Sequence, residues 1–356
     1  MMGHKNSIRS APSSTTTQLR GETQMNEVSQ HPAQAVQQLA TAYWASRCLH
    51  VAAELGVADV LGDEPQTAEA IAQLLGVQPA ALHRILRALA NHGVFQHDGE
   101  RFAHNESSRL LRTGVPGSLR SLTRMMGLKV HWDAYRELDS ALRTGRPPIA
   151  QVTKDGLFPY LADHPEEAQL FHEAMAEKTT MQVGLVTDAY DFSAFTTIGD
   201  IGGGLGQLLY AVLEKAPQAR GVLFDLPETI ARAREGNMPR VTYVGGDFFK
   251  DLIPPCDAYM MMTVLHDWSD AESISILKNL QASAPRGAKL LLIEGVVEPT
   301  ARNDFILDLD IEMLALTTGR ERTRTEWETM LSRAGFRMTR IIPTSAMSSI
   351  IEAELG

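Results

Sequence analysis

A glycine-rich turn is the part of the sequence whose residue types point most directly to chemistry. It has the sequence Asp200-Ile201-Gly202-Gly203-Gly204-Leu205-Gly206, after an apolar run and before a helical one. Glycines let the backbone approach a ligand closely, and a helix N-terminus offers free N–H groups to a carboxylate or phosphate. Dinucleotide-binding enzymes use a similar turn, so this motif alone does not separate NAD from other nucleosides.

Acidic residues at three successive predicted strands narrow the ligand class. Asp200 directly precedes the glycines, where it would repel a pyrophosphate, and the spacing G-x-G-x-G differs from the dinucleotide pattern G-x-G-x-x-G. Asp225 ends the next strand and can accept both ribose hydroxyls, while Asp247 and Phe248 follow the third and can bind and stack an adenine ring. This pattern favours a cationic nucleoside without phosphate. The simpler alternatives are a helix cap for Asp225 and a turn for Asp247.

A histidine and a glutamate at the ends of two later strands form a second candidate group. His266 ends the predicted fourth strand, at the sheet edge where open α/β sheets bind ligands, and Glu294 ends the fifth. Imidazole has an ordinary pKa of about 6.5, so a histidine placed at a reacting group can act as a general base near neutral pH. Glu294 could orient and stabilise that imidazole. A surface histidine at a strand end is the alternative.

The elements that must position these residues follow residue 195, where short apolar runs typical of strands alternate with stretches of helical periodicity. This alternation predicts a parallel sheet covered by helices on both faces. Strands are predicted at 196–201, 220–225, 241–245, 258–265, 289–296, 336–343 and 348–354. Helices are predicted near 206–215, 227–235, 272–284, 304–316 and 325–334. Residues 116–190 are predicted to be mostly helical, with turns at 145–148 and 163–165.

The region before residue 116 has the order helix, turn, helix, hairpin. A helix begins near 33, a second begins after Thr67 as N-cap and ends at Gly76, and a third follows Pro79. Asp98-Gly99 then predicts a two-residue hairpin turn. This winged-helix order makes a DNA-binding regulator an alternative function. Residues 54–115 contain eight acids and five bases, however, which favours a dimerisation or packing module over a phosphate binder.

Composition sets outer limits on the function. The chain has 356 residues, a net charge of -10 and two distant cysteines, so we expect neither nucleic-acid nor membrane binding and a reducing, cytoplasmic environment. No metal-ligand spacing is seen, and no metal is expected. Residues 1–30 are rich in Ser, Thr and Gln and are predicted to be a disordered tail, although a transit peptide has the same bias. We expect domains at 31–115, 116–190 and 191–356.

Several motifs together resemble one family from about residue 35 to the C-terminus. They are DIGGGLG at 200, FDLPETI at 224, GGDFF at 245, LHDWSD at 265, LLIEGV at 291 and GRERTRTEW at 319. The chain resembles class I small-molecule O-methyltransferases, which include plant caffeate and flavonoid enzymes and bacterial phenazine and mitomycin O-methyltransferases. The resemblance implies an α/β fold with an N-terminal winged-helix dimerisation domain, a helical segment lining the substrate site and a C-terminal Rossmann-like seven-stranded methyltransferase domain. It also implies a homodimer that uses S-adenosylmethionine without a metal.

The resemblance also assigns roles to individual residues. It makes His266 the general base, flanked by Glu294 and Glu321; a salt bridge to Arg320 or Arg322 is the alternative for Glu321. Cofactor contacts are implied for Asp200, Gly202, Gly204, Asp225, Leu226, Asp247, Phe248, Thr263 and Thr179. Substrate contacts are implied for Met175, Asp267 and Met313, although core packing would also explain the methionines and Asp267 could serve to shape the turn.

Two departures from the plant pattern bear on binding. Met262 stands where plant members often have a lysine, so one polar contact to the cofactor is expected either to be missing or to come from Thr263. Lys178 replaces a histidine that contacts substrate in plant members, so the plant substrates are not carried over. We expect methylation of a hydroxyl on a small aromatic secondary metabolite, with a fused-ring phenol such as a hydroxyphenazine preferred. N- or C-methylation, or altered chemistry on the same scaffold, stays an alternative.

Overall fold

Two units make up the chain in the computed structural model, Met1–Tyr43 and Trp44–Gly356. The structure describes residues 31–300, 302, 304–344 and 347–356. The predicted disordered tail, 1–30, lies outside the described residues. The described part of the first unit is the beginning of helix α1 (Pro32–Glu54). No helix in the described ranges is both long and apolar enough to cross a lipid bilayer.

The predicted order of helix, helix and hairpin is confirmed in the region after α1. Thr67 caps the second predicted helix by accepting from Ala70 N, 3.3 Å away, and Gly76 ends it at φ 66°. The first hairpin strand begins at Gln96, because Val94 N still donates to Leu89 O of the preceding helix. The elements are α2 (Val57–Leu61), β1 (Gln66–Thr67), α3 (Ala68–Leu75), α4 (Pro79–Asn91), β2 (Gln96–His97), β3 (Arg101–Ala103) and α5 (Glu106–Arg109).

Residues 116–190 are mostly helical, as predicted. Gly145, at φ 65°, ends one helix at the first predicted turn, and His164 separates two others at the second. The last helix of this segment is 25 residues long. The elements are α6 (Arg120–Met126), α7 (Lys129–Arg136), α8 (Leu138–Thr144), α9 (Ile149–Val152), α10 (Leu157–Asp163) and α11 (Pro165–Ala189).

Seven strands form the main sheet of the described chain. They are β4 (Thr197–Ile201), β5 (Arg220–Asp225), β6 (Val241–Gly245), β7 (Ala258–Met262), β8 (Lys289–Glu294), β11 (Phe336–Pro343) and β12 (Ser349–Leu355). Their order across the sheet is β11-β12-β8-β7-β4-β5-β6. The five strands from β8 to β6 run parallel, whereas β12 pairs antiparallel with β8 and β11 pairs antiparallel with β12. A separate parallel pair is formed by β9 (Val296–Val297) and β10 (Arg322–Thr323).

Helices cover both faces of this sheet, which explains the continuous apolar strands. Along β8, Leu290 and Leu292 pack on one face, and Leu291 and Ile293 pack on the other. The helices are α12 (Gln207–Lys215), α13 (Pro227–Ala233), α14 (Asp270–Ser283), α15 (Phe305–Leu316) and α16 (Arg324–Arg333). The predicted α/β class and the parallel arrangement are therefore confirmed.

The predicted fourth strand, 258–265, is too long. Strand β7 ends at Met262, and a short 3₁₀ turn follows at Leu265–Asp267. Thr263 adopts a left-handed φ of 50°, which turns the chain out of the sheet. His266 consequently lies in the turn and not at the strand end. The predicted fifth strand is divided in the same way, because Gly295 separates β8 from β9.

Candidate active site

A cavity of about 850 Å³ lies at the carboxyl ends of β4, β5, β6 and β7 and along one face of α11. Most residues for which the sequence predicted ligand contacts line it: Asp200, Gly202, Gly204, Asp225, Leu226, Asp247, Phe248, Thr263, Thr179, Met175 and Asp267. Met313 does not. It is buried on α15, with its sulfur 4.0 Å from Oγ1 of Thr317, and Thr317 reaches the cavity instead.

The glycine turn makes room for a buried carboxylate. A Cβ at Gly203 would lie 2.5 Å from Cγ of Asp200 and 2.6 Å from Cδ1 of Leu223, so any larger residue would displace the acid. Gly202 has a left-handed φ of 70°, and a Cβ there would also lie 3.0 Å from Val264. The turn therefore needs glycine for backbone conformation at one position and for space at the next.

Asp200 and Asp225 place two carboxyl groups beside this turn. Asp200 is 1% exposed, and its Oδ2 has no hydrogen-bond partner among the described residues. Burial, reinforced by the nearby charge of Asp225, raises the pKa of Asp200 to about 7. Asp225 accepts from Gly204 N at 2.8 Å and from Leu226 N at 2.7 Å, while burial raises its pKa. A buried carboxylate oxygen without a partner next to a second carboxylate fits a cationic ligand.

Asp247 and Phe248 close the same end of the cavity. Asp247 accepts from Phe249 N at 2.9 Å and pairs with Lys250 Nζ at 2.7 Å, so it stabilises a turn as well as facing the cavity. The ring of Phe248 meets the edge of Trp268, with centroids 5.9 Å apart. The carboxylate retains lone pairs for a further donor, because each oxygen can accept more than one hydrogen bond.

His266 is buried in the wall beside the cavity, with 3% of its surface exposed. Its Nδ1 lies 2.7 Å from Oε1 of Glu321, and its Nε2 lies 3.6 Å from Oδ1 of Asp267, which does line the cavity. Burial alone would lower the pKa of His266. The carboxyl groups of Asp267, Glu294 and Glu321 outweigh that effect and raise the pKa to about 9.

The two glutamates act on His266 in different ways. Glu321 bonds the imidazole directly, and its N–H donates to Asp310 Oδ1 at 2.8 Å. Glu294 makes no hydrogen bond to His266. Its Oε1 accepts from Val264 N at 3.0 Å and Leu265 N at 2.8 Å, which holds the turn, and burial raises its pKa to about 7. Salt bridges from Glu321 to Arg320 or Arg322 are not seen in the described part of the chain.

Aromatic side chains that the sequence did not single out complete the cavity wall. Phe158 stacks on Trp268 with ring centroids 5.6 Å apart and planes inclined by 19°, and Phe171 meets the edge of Phe158. Along with Met175 these side chains form an apolar side to the cavity. Their signal in the sequence was weak, because an aromatic residue in an amphipathic helix is as typical of a core as of a ligand site.

Across residues 31–300, 302, 304–344 and 347–356, no group of three or more His, Cys, Asp or Glu side chains is arranged to hold a metal ion. His266, Glu321 and Asp267 are held by hydrogen bonding and charge within the protein. The expectation of metal-independent chemistry stays a prediction.

Family models match most of the chain in two consecutive segments. An O-methyltransferase dimerisation domain matches residues 37–114, and an O-methyltransferase domain matches residues 135–337. The second match contains every element that carries the glycine turn, the acids and His266.

Individual relatives agree with the family models. A phenazine O-methyltransferase of Lysobacter antibioticus is 38% identical, covering 89% of this chain and 94% of the relative. An 8-amino-8-demethylriboflavin N,N-dimethyltransferase of Streptomyces davaonensis is 35% identical, covering 85% and 90%. The structure of human N-acetylserotonin methyltransferase in complex with S-adenosylmethionine superimposes with a TM-score of 0.84 at 27% identity, covering 92% and 99%. The chain belongs to the family of S-adenosylmethionine-dependent O-methyltransferases of small molecules.

Proposed function

We propose that this enzyme methylates a hydroxyl group on a small aromatic secondary metabolite, with His266 as the general base. The observation that carries the proposal is the buried contact of 2.7 Å between His266 Nδ1 and Glu321, next to the cavity wall formed by Asp267. An imidazole that donates through Nδ1 keeps Nε2 available to accept a proton.

The cofactor fits the acidic end of the cavity. Asp200, with its unpartnered oxygen, suits a positively charged group, Asp225 suits the ribose hydroxyls, and Asp247 with Phe248 suits adenine. Backbone at Gly202 and Gly204, and side chains of Leu226, Thr263 and Thr179, complete the proposed contacts. When bound, S-adenosylmethionine supplies an electrophilic methyl group, so the protein must supply an aligned and deprotonated nucleophile.

The carboxyl groups around His266 set the affinity of its imidazole for a proton. A phenol has a pKa of about 10, close to the raised pKa of about 9 of this imidazole, so proton transfer from the hydroxyl to Nε2 is nearly balanced. The proton that leaves the oxygen is then held on an imidazolium stabilised by Glu321 and Asp267. At neutral pH the free enzyme holds that proton already, and it must be lost before His266 can act.

The apolar side of the cavity supports a flat aromatic substrate. Phe158, Phe171 and Met175 lie there with Trp268, and planar rings stack well on such surfaces. The similarity to a phenazine O-methyltransferase supports a fused-ring phenol such as a hydroxyphenazine. Asp267 is proposed to contact the substrate near its reacting hydroxyl.

Methylation of an aromatic amine is the second candidate. It is favoured by the 35% identity to a riboflavin-derivative N,N-dimethyltransferase. A neutral amine already has a free lone pair, so its methylation needs alignment more than a strong base. Dependence on His266 therefore separates the two chemistries.

The test incubates the purified protein and S-adenosylmethionine with fused-ring phenols and the matching amines, and detects products by mass spectrometry. For a phenol we expect His266→Ala to lower kcat by about 10²–10⁴-fold, because general-base catalysis contributes that much. Cofactor affinity, measured by calorimetry, should stay within about threefold, since His266 does not line the cofactor end. Full phenol turnover by the variant would contradict the general-base role.

A further inference from the structure

A fully buried arginine reaches the turn that carries His266. Arg322 lies in β10 with 0% of its surface exposed. Its Nη1 donates to Leu265 O at 2.9 Å and its Nη2 to Trp268 O at 2.8 Å, while Nε bonds Oδ1 of Asp270 at 2.9 Å. The two carbonyls stand on either side of His266 and Asp267, so the guanidinium spans the segment that contains the base.

Only a guanidinium can make this set of contacts. Its planar fork points donors in three fixed directions, whereas the lysine ammonium is a single point charge on a flexible stem. A buried cation is also costly unless it is paired, and Asp270 supplies the opposite charge. The centroid of the Trp327 ring lies 5.2 Å from Cζ of Arg322, so one face of the guanidinium packs on an aromatic ring. Hydrogen bonds along the edge of the guanidinium and this ring contact on one face together fix its position.

The backbone of Arg322 lies next to the segments that carry Glu321 and Glu294. It follows Glu321 directly, and in β10 it pairs with Val296 of β9, two residues after Glu294. Trp327 donates through Nε1 to Gly295 O at 3.0 Å. A Cβ at Gly295 would lie 2.4 Å from Oε2 of Glu321, so the same segment also leaves space for that carboxylate. One residue therefore connects the turn of His266 to the segments of both glutamates.

We propose that Arg322 is a positioning residue for the base: it holds the Leu265–Trp268 turn at the distance that lets Glu321 bond His266 Nδ1 and leaves Nε2 directed toward Asp267 and the cavity. This rests on the proposed role of His266. Arg322 itself does not line the cavity, so it acts through the imidazole and not on the substrate.

Arg320 provides a matched control in the same segment. Its side chain is 44% exposed and pairs with the same Asp270 at 3.1 Å and with Glu326 at 2.8 Å, and it makes no hydrogen bond to the carbonyls of Leu265 or Trp268. We expect Arg322→Lys to lower kcat for a phenol about 10²-fold with KM within about threefold, because displacement of a catalytic group by about 1 Å has that effect. Arg320→Gln should stay within about twofold of wild type.

A spectroscopic measurement separates positioning from simple support of the fold. The proton between His266 Nδ1 and Glu321 should give a far-downfield proton resonance, which is identified by its loss in His266→Gln. We expect Arg322→Lys to lose or shift this resonance while retaining cofactor affinity, and Arg320→Gln to keep it unchanged. An unshifted resonance in Arg322→Lys, or equal losses of activity in both arginine variants, overturns the proposal.

A milder variant covers the case in which Arg322→Lys does not fold, as judged by its melting temperature and cofactor binding. Asp270→Asn keeps the guanidinium but removes its paired charge, and we expect a shifted resonance with about a fivefold loss of kcat. An unchanged resonance and rate in this variant also overturn the proposal. The resonance does not depend on turnover, so full phenol activity of His266→Ala would contradict the proposed function without deciding the positioning of the imidazole by Arg322.

Discussion

The imidazole of His266 is enclosed by three carboxyl groups, and this arrangement sets how the reaction should respond to pH. Asp267, Glu294 and Glu321 together raise its pKa to about 9 against the opposing effect of burial. Asp200, at the other end of the cavity, has its pKa raised to about 7 by burial and by Asp225. The two ends of one cavity therefore titrate in different ranges.

Catalysis should increase with pH because the base must first be deprotonated. We predict that kcat/KM for a phenol rises as the pH increases toward about 9, the pKa of His266 in the free enzyme. In Glu321→Gln one stabilising charge is lost, so the pKa of His266 falls and the rise should move to lower pH. A pH–rate profile with one substrate measures both. A rise at the same pH in the variant would indicate that the substrate hydroxyl, and not His266, is titrating.

Cofactor affinity should weaken in mild acid. Below about pH 7 Asp200 becomes neutral and no longer attracts a positive ligand, so the Kd for S-adenosylmethionine should rise by up to about tenfold per pH unit between pH 7 and 6. Calorimetry at pH 6, 7 and 8 tests this. Asp200→Asn should bind more weakly and with much less dependence on pH across this range. If the Kd of Asp200→Asn depended on pH as strongly as that of the wild type, Asp225 or another group would be responsible for the dependence.

Among the secondary-structure elements, the turn between β7 and α14 depends on its own backbone conformation and equally on contacts from distant segments of the chain. Thr263 takes a left-handed φ of 50°, Glu294 accepts two N–H groups of the turn, and Arg322 binds carbonyls on either side of His266. Gly319 approaches the same turn from the segment before β10. Backbone that departs from ordinary conformations at such a place has to be held by surrounding contacts.

Replacement of Gly319 should damage this turn. A Cβ there would lie 1.8 Å from His266 O and 2.6 Å from Trp268 N, both backbone atoms that cannot move aside as a side chain can. We predict that Gly319→Ala lowers kcat about 10²-fold and lowers the melting temperature. Gly184→Ala is the control, because Gly184 lies in α11 with open space at its Cβ; it should stabilise the protein by about 0.5–1 kcal/mol. Thermal melts and initial rates measure both, and an unimpaired Gly319→Ala would contradict this account of the turn.

At the scale of the whole molecule, α1 carries apolar side chains on its surface. Val36 is 70% exposed and Leu39 is 80% exposed in the single chain. A dimerisation-domain model covers residues 37–114, which include most of this helix. Exposed apolar surface of this kind commonly marks a protein interface. We therefore propose a homodimer in solution, with the N-terminal region forming the interface.

A charge placed on α1 should disrupt that dimer. We expect the wild-type mass from light scattering to be that of two chains, and Leu39→Glu to shift the population toward one chain, because a carboxylate buried at an apolar interface is strongly unfavourable. Leu252→Glu changes a side chain of similar exposure, 78%, in the loop after β6, and should leave the dimer intact. A wild-type monomer, or equal effects of both changes, would rule out this interface.

Much of the architecture followed from patterns along the chain. The alternation of strand and helix predicted the sheet, and helix caps at Thr67 and Gly76 were confirmed. The glycine turn and the acids after three strands reach one cavity because the carboxyl ends of parallel strands share one edge of a sheet. The failures were local: the predicted fourth strand extended beyond Met262, since an apolar sequence continues into a turn that distant groups hold.

Motifs and hydrophobic periodicity predicted the family, the fold class and the acids and glycines that line one end of the cavity, because these patterns are properties of neighbouring positions. The aromatic wall with Phe158 and Phe171 was not predicted, and Met313 does not line the cavity. The three-dimensional structure was needed to see that Glu294 holds backbone while Glu321 holds the imidazole, and that Arg322 spans the turn that carries His266. These partners are separated along the chain by 29, 55 and 57 residues. Which of several nearby acids and bases meet is set by the order of the strands and by the space left at Gly295 and Gly319, and neither is encoded in a local pattern.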